Sequence, residues 1–127
     1  MKGLEKGLSR WLKKDHYQPF PTLGSREIEV LKFLWREGEQ TAQQTLSFFA
    51  NEQISLSTIQ STLERLHRKN LLLRKKHGRS YTYQAAISQS DLISHLLQDI
   101  TTQVSDGDIA PLISGFMSFV GEDQIDG

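Results

Sequence analysis

A change of period constrains this chain more than any other feature. Between Ser25 and Asn70 apolar residues recur at helical spacing in three short segments, and from Leu71 onward the pattern becomes extended around a glycine. The first segment, Ser25 to Glu37, places Ile28, Leu31, Leu34 and Trp35 on one face with Val30 beside them, and Gly38 supplies a stop. The second opens at Thr41, whose spacing to Gln44 is that of a capping box, and carries Ala42, Leu46, Phe49 and Ala50. The third repeats the signature at Ser57 and Gln60, carries Ile59, Leu63 and Leu66, and stops at Asn70, which tolerates a left-handed backbone. Two extended runs then flank His77-Gly78, the second with aromatics two apart at Tyr81 and Tyr83. Three helices and a basic hairpin predict a winged helix-turn-helix from about Leu23 to Tyr83. The expected fold class is mainly α with a small β-hairpin, followed by a helical C-terminal segment.

The flanks read differently. Leu4, Leu8, Trp11 and Leu12 lie at helical spacing among Lys2, Lys6, Arg10, Lys13 and Lys14, a short basic amphipathic stretch. An isolated helix of that length is marginal, so a loosely docked arm is expected, and Gln18-Pro19-Phe20-Pro21 then breaks regular structure. After the hairpin, one helix is expected from about Asp91 to Val104, a turn at Asp106-Gly107-Asp108, and another helix to Val120. A division into residues 1–21 (arm and linker), 22–86 (winged helix) and 87–127 (helical region) suits a length of 127.

Net charge is zero, but it is unevenly placed. All fifteen basic residues lie at or before Arg79 against eight acids, and seven acids with no base follow. Phosphates would be drawn to the first part and repelled by the second. Between Arg65 and Arg79 stand Arg65, Arg68, Lys69, Arg74, Lys75, Lys76 and Arg79 without one acid, the densest charge run in the chain.

An α-helix that reads a major groove must be held by one face and offer polar side chains on the other. At about 100° per residue, Leu63 and Leu66 fall within about 40° of Ile59, while Ser57, Ser61, Glu64, Arg65 and Arg68 fall on the opposite half, with Thr58 and Gln60 flanking. The expected contacts to double-stranded DNA are Ser57, Thr58, Gln60, Ser61, Thr62, Arg65 and Arg68 from this helix, and Lys75, Lys76, Arg79 and Tyr81 from the hairpin. Gln60 suits adenine, Arg65 suits guanine or phosphate, and the hydroxyls adapt to either. Glu64 is the exception, since phosphate repels it unless it accepts from a cytosine amine or pairs with Arg65 or Arg68.

Other chemistry finds no support. His16, His67, His77 and His95 lack metal-site spacing, and with no cysteine there is neither disulfide nor thiolate ligand. No nucleophile elbow or phosphate-loop glycine pattern occurs, so no catalytic residue, metal or cofactor is assigned. No run of apolar residues is long enough to span a membrane, and a cytoplasmic protein is expected. Two rival readings are a winged-helix interaction module that holds an acidic protein partner, and peripheral contact of Met1 to Lys14 with anionic lipid. The small polar face beside a basic hairpin argues against the first.

Three blocks carry a resemblance: Leu23-Gly24-x-x-Glu27-x-x-Val30-Leu31-x-x-Leu34-Trp35, then Ser57-Thr58-Ile59 with Thr62-Leu63-x-Arg65-Leu66-x-x-Lys69, then Gly78-Arg79-x-Tyr81-x-Tyr83. In that order and spacing they resemble the penicillinase-repressor family of β-lactamase, methicillin-resistance and copper-responsive repressors, over Leu23 to about Val120. The resemblance implies a bacterial repressor that binds an inverted repeat as a homodimer. It further implies dimerisation through the C-terminal helices, here Leu92, Leu96, Leu97, Ile100 and Val104 with Leu112, Ile113, Phe116 and Val120. Departures concern control. Antibiotic-responsive members are cleaved at an Asn-Phe bond, whereas Asn51 and Asn70, the only asparagines here, precede other residues. Copper-responsive members use C-terminal cysteines, which are absent. Asn70 also replaces a usual glycine, and Val104 a frequent phenylalanine.

Overall fold

The computed structural model describes residues 19–126, those of 122–126 by backbone only. The arm helix over Met1 to Lys14, and any contact it makes with DNA or lipid, lies outside them. Two compact units arise, one comprising Pro21–Leu92 and the other holding Phe20 and the chain after Leu92.

In the first unit, α1 (Ser25–Glu37) starts where the Gly24 N–H donates to Glu27 Oε1 at 3.1 Å. It stops at Gly38, whose φ of 78° only glycine adopts readily and whose N–H bonds the Leu34 carbonyl at 2.9 Å. A two-residue strand β1 (Gln40–Thr41) leads into α2 (Ala42–Phe48). Its cap is reciprocal, as the sequence predicts: Thr41 Oγ1 accepts from the Gln44 N–H at 3.0 Å, and Gln44 Oε1 accepts from the Thr41 N–H at 2.8 Å. The helix ends two residues earlier than expected, with Phe49 buried at its end and Ala50 exposed beyond it.

The third helix, α3 (Leu56–Arg68), corrects the expected start. Its cap is Ser55, whose Oγ accepts from the Thr58 N–H at 3.2 Å, and Ser57 already lies inside the first turn. Beyond α3, Asn70 takes a φ of 63° and the Leu71 N–H reaches back to the Leu66 carbonyl at 3.0 Å, which satisfies an end carbonyl and turns the chain. Strands β2 (Leu72–His77) and β3 (Ser80–Ala85) close a two-residue loop at Gly78, where φ is 61°. Glycine at the first loop position is what a tight hairpin favours. The antiparallel sheet has the order β1-β3-β2, with Gln40 opposite Tyr83 and Arg74 opposite Tyr83 on the other side.

The core is closed around Val30, Leu31, Ile59, Leu63 and Leu66, each 0% exposed, with Phe33, Leu34, Phe49, Leu71, Leu72 and Tyr83 packed about them. Ile28 does not join it as the spacing predicts, being 37% exposed, and Phe33 is buried instead. The reason is that α1 packs against α3, α2 and β3 together, so its buried stripe is broader than, and rotated from, a single face. Trp35 is half-buried, and its indole N–H donates to the Ile87 carbonyl at 2.8 Å.

Helix α4 (Gln89–Ser105) begins in the first unit and continues through the second, where α5 (Ala110–Asp126) follows. The Ser88 hydroxyl accepts from the Asp91 N–H at 3.0 Å, and Leu92 in the first turn is buried. Leu92 therefore cannot face a second chain, contrary to the expectation. In the second unit the turn forms where predicted, with φ of 51° at Asp106 and 87° at Gly107, and Asp108 Oδ1 accepts from the Ala110 N–H at 3.1 Å to open α5. Phe20 stacks on His95 at 5.0 Å between ring centres, and its N–H donates to Asp99 Oδ1 at 3.3 Å.

Candidate nucleic-acid interface

Because Ile59, Leu63 and Leu66 anchor one side of α3, the other side faces solvent. Ser57, Thr58, Gln60, Ser61, Arg65 and Arg68 are all exposed there. Thr62 is not. It is 0% exposed, and its hydroxyl donates to the Thr58 carbonyl at 2.8 Å, so it cannot touch a base directly. Its angle is the cause, since three residues from Ile59 bring it back to about 60° from the buried stripe. It serves the face indirectly, because Thr62 Oγ1 also accepts from Arg65 Nη2 at 3.2 Å. At the start of the helix, Ser55 Oγ lies 3.0 Å from the hydroxyls of both Ser57 and Thr58.

The hairpin stands beside this face. A groove of about 370 Å³ is lined by Leu56 and Gln60 of α3, Thr41, Ala42 and Gln43 at the entry to α2, and Arg79, Ser80, Tyr81 and Tyr83 of the hairpin. Gln60, Arg79 and Tyr81, far apart in sequence, thus come together. Successive strand residues point to opposite faces, and Lys76 pairs with Tyr81 in the register whereas Lys75 pairs with Thr82. Lys75 accordingly lines a separate cleft with Glu39, Leu73, Arg74, Thr82 and Gln84. The two lysines, adjacent in sequence, serve different sides of the wing.

Further interactions hold the parts in place. Arg74 Nη1 donates to Glu64 Oε2 at 2.9 Å, and the same guanidinium lies 4.4 Å from the centre of the Tyr81 ring. Arg68 Nε approaches the other Glu64 oxygen at 4.0 Å. Glu64 thus pairs with Arg74 and Arg68 rather than with Arg65. The far end of α3 is tied to the start of α1 by Lys69, whose ammonium donates to Glu27 Oε2 at 2.6 Å and the Thr22 carbonyl at 2.7 Å. Burial raises the Glu27 carboxyl's pKa, but the Lys69 and Gly24 hydrogen bonds, with the charges of Lys69 and Arg65, bring it below its ordinary value. Glu39 is lowered too, first by the Thr82 hydroxyl, and its carboxylate lies 3.5 Å from His77 Nε2. Arg74 was legible only as part of the basic run, because a partner ten residues away across a turn leaves no periodic trace.

Among the described residues no group of three or more histidine, cysteine or acidic side chains is placed to hold a metal, and no helix is long and apolar enough to cross a membrane. In the second unit, most of the residues expected at a dimer surface are open. Leu96 and Leu97 are 39% exposed, Ile100 52%, Val104 79%, Ile113 52% and Phe116 60%, while Leu112 and Val120 are half-buried.

Known proteins share this arrangement. The chain is 30% identical over 107 residues to the transcriptional regulator BlaI of Mycobacterium tuberculosis, spanning 82% of this chain and 78% of that one. It is 26% identical over 108 residues to the penicillinase repressor of Bacillus licheniformis, spanning 84% and 82%. A solution structure of the DNA binding domain of the repressor BlaI superposes with a TM-score of 0.52 at 29% identity, covering 59% of this chain and 93% of that domain. Residues 23–126 match the penicillinase repressor family throughout, and the chain belongs to that family.

Proposed function

We propose that this protein is a sequence-specific transcriptional repressor that binds an inverted-repeat operator as a homodimer in the bacterial cytoplasm. Residues 22–86 grip the DNA and residues 87–127 join the two copies. The observation that carries the reading is the exposed half of α3, with Ser57, Gln60, Ser61, Arg65 and Arg68, set beside a wing bearing Lys76, Arg79 and Tyr81. Such a face fits a major groove, and the wing reaches the flanking phosphates or minor groove. The named relatives, a transcriptional regulator and a penicillinase repressor, support the same conclusion.

In the homodimer, the exposed apolar side chains of α4 and α5 cover one another, and the two α3 helices enter grooves one helical turn, or a multiple of it, apart. Selection of bound duplexes from a random pool tests this. An enriched palindrome is expected, with affinity that falls steeply as salt rises. No enriched motif, or affinity indifferent to salt, would overturn it.

A further inference from the structure

We propose that Glu64 is a specificity-determining residue: its carboxylate withholds Arg74 and Arg68 from phosphate and repels DNA docked in the wrong register. The inference rests on the DNA-binding reading above and deepens it. Glu64 is the only acid between Glu52 and Asp91, so it is the one negative charge that α3 and the two hairpin strands themselves carry. It is neither buried nor idle. Its side chain is 41% exposed on the outer half of α3, while Arg74, held at 2.9 Å and laid over Tyr81, is 28% exposed. Arg68, one turn along, is drawn to the same carboxylate at 4.0 Å.

Binding to unrelated DNA depends almost wholly on cations meeting phosphates. A carboxylate that occupies two arginines, and stands where phosphate would approach, weakens that mode most. In the matching register the carboxylate meets a base edge rather than phosphate. The donor that suits it in a major groove is the cytosine N4 amine, so Glu64 selects for a C·G pair in each half-site.

The test compares wild type, Glu64→Gln and Glu64→Asp on two probes, the duplex enriched from the random pool and poly(dI-dC). Glu64→Gln is expected to raise affinity for poly(dI-dC) roughly tenfold at about 0.1 M salt and to steepen the salt slope by about two, the effect of freeing Arg74 and Arg68 for phosphate. Affinity for the enriched duplex rises less, so the ratio between probes falls, and preference for cytosine at one half-site position relaxes. Glu64→Asp keeps the charge and retains the wild-type ratio. Unchanged poly(dI-dC) affinity and slope in Glu64→Gln would overturn the proposal. So would equal weakening on both probes by both variants, which would make Glu64 a strut for the wing. A wild type with no preference between the probes would instead overturn the DNA-binding reading, and the inference with it.

Discussion

The two units handle apolar surface in opposite ways. In Pro21–Leu92 the large aliphatic residues of α1 and α3 meet each other, and five of them are sealed completely. In the second unit Val104, Phe116, Met117 and Phe119 are each at least 60% exposed. Water penalises such surface at roughly 25 cal/mol per Å². The first unit thus has a complete core within one chain, whereas the second presents side chains whose burial needs another surface. The contrast supports the proposed division, with stability in the head and assembly in the tail.

Substitutions should separate these roles. The largest effect is expected from Leu63→Ala, which removes a sealed side chain and should destabilise the head by about 2–5 kcal/mol, read from urea unfolding of the full chain. Phe116→Asp should leave that unfolding nearly unchanged but turn a dimer into monomers in sedimentation. It should weaken operator binding by roughly a hundredfold, about 2.7 kcal/mol. If it unfolded the head instead, the division of labour would be wrong.

Within the head, Lys69→Met leaves Glu27 without its partner and should cost about 1.5–3 kcal/mol at neutral pH. Glu27 has a folded pKa below its ordinary 4.5, so its contribution is present above about that pH and is lost as pH falls through the folded value. The stability gap between wild type and Lys69→Met should therefore close in acid, and a gap independent of pH would contradict the pairing. The smallest effect distinguishes two nearby serines. Ser55→Ala should cost about 1 kcal/mol as a lost cap, whereas Ser57→Ala should leave stability unchanged and weaken DNA binding.

Much of the head was legible because its signals are local. Gly38, the Thr41 and Gln44 pair, Asn70 and Gly78 each mark a backbone requirement that no distant contact alters. The errors lie where tertiary contacts decide. Ser55 and Ser57 both sit before the apolar stripe of α3, and the sequence matches a capping box only from Ser57, yet the bend of the chain puts Ser55 at the cap. Ile28 was exposed and Phe33 buried because α1 has three neighbours rather than one. Thr62 was misplaced by its polarity, although its angle pointed inward. The helices after the head were found by spacing, but α5 carries apolar residues around most of its circumference, so no single face could be read from it. At the site, the residues were legible and their pairings were not: Glu64 with Arg74, and the two sides of the wing taken by Lys75 and Lys76, depend on how the hairpin meets α3.

The hydrogen bond from the Trp35 indole to the Ile87 carbonyl gives the head an optical handle. Trp35 and Trp11 are the chain's two tryptophans, so replacing Trp11 by phenylalanine leaves one emitter, seated where the strand leaving the wing turns toward α4. Indole emission shifts to longer wavelength when the ring is opened to water. A release of that exit segment from α1 would therefore be visible as a red shift before the core unfolds, and the same signal would report in real time whether seizing DNA tightens or loosens the junction through which the head is tethered.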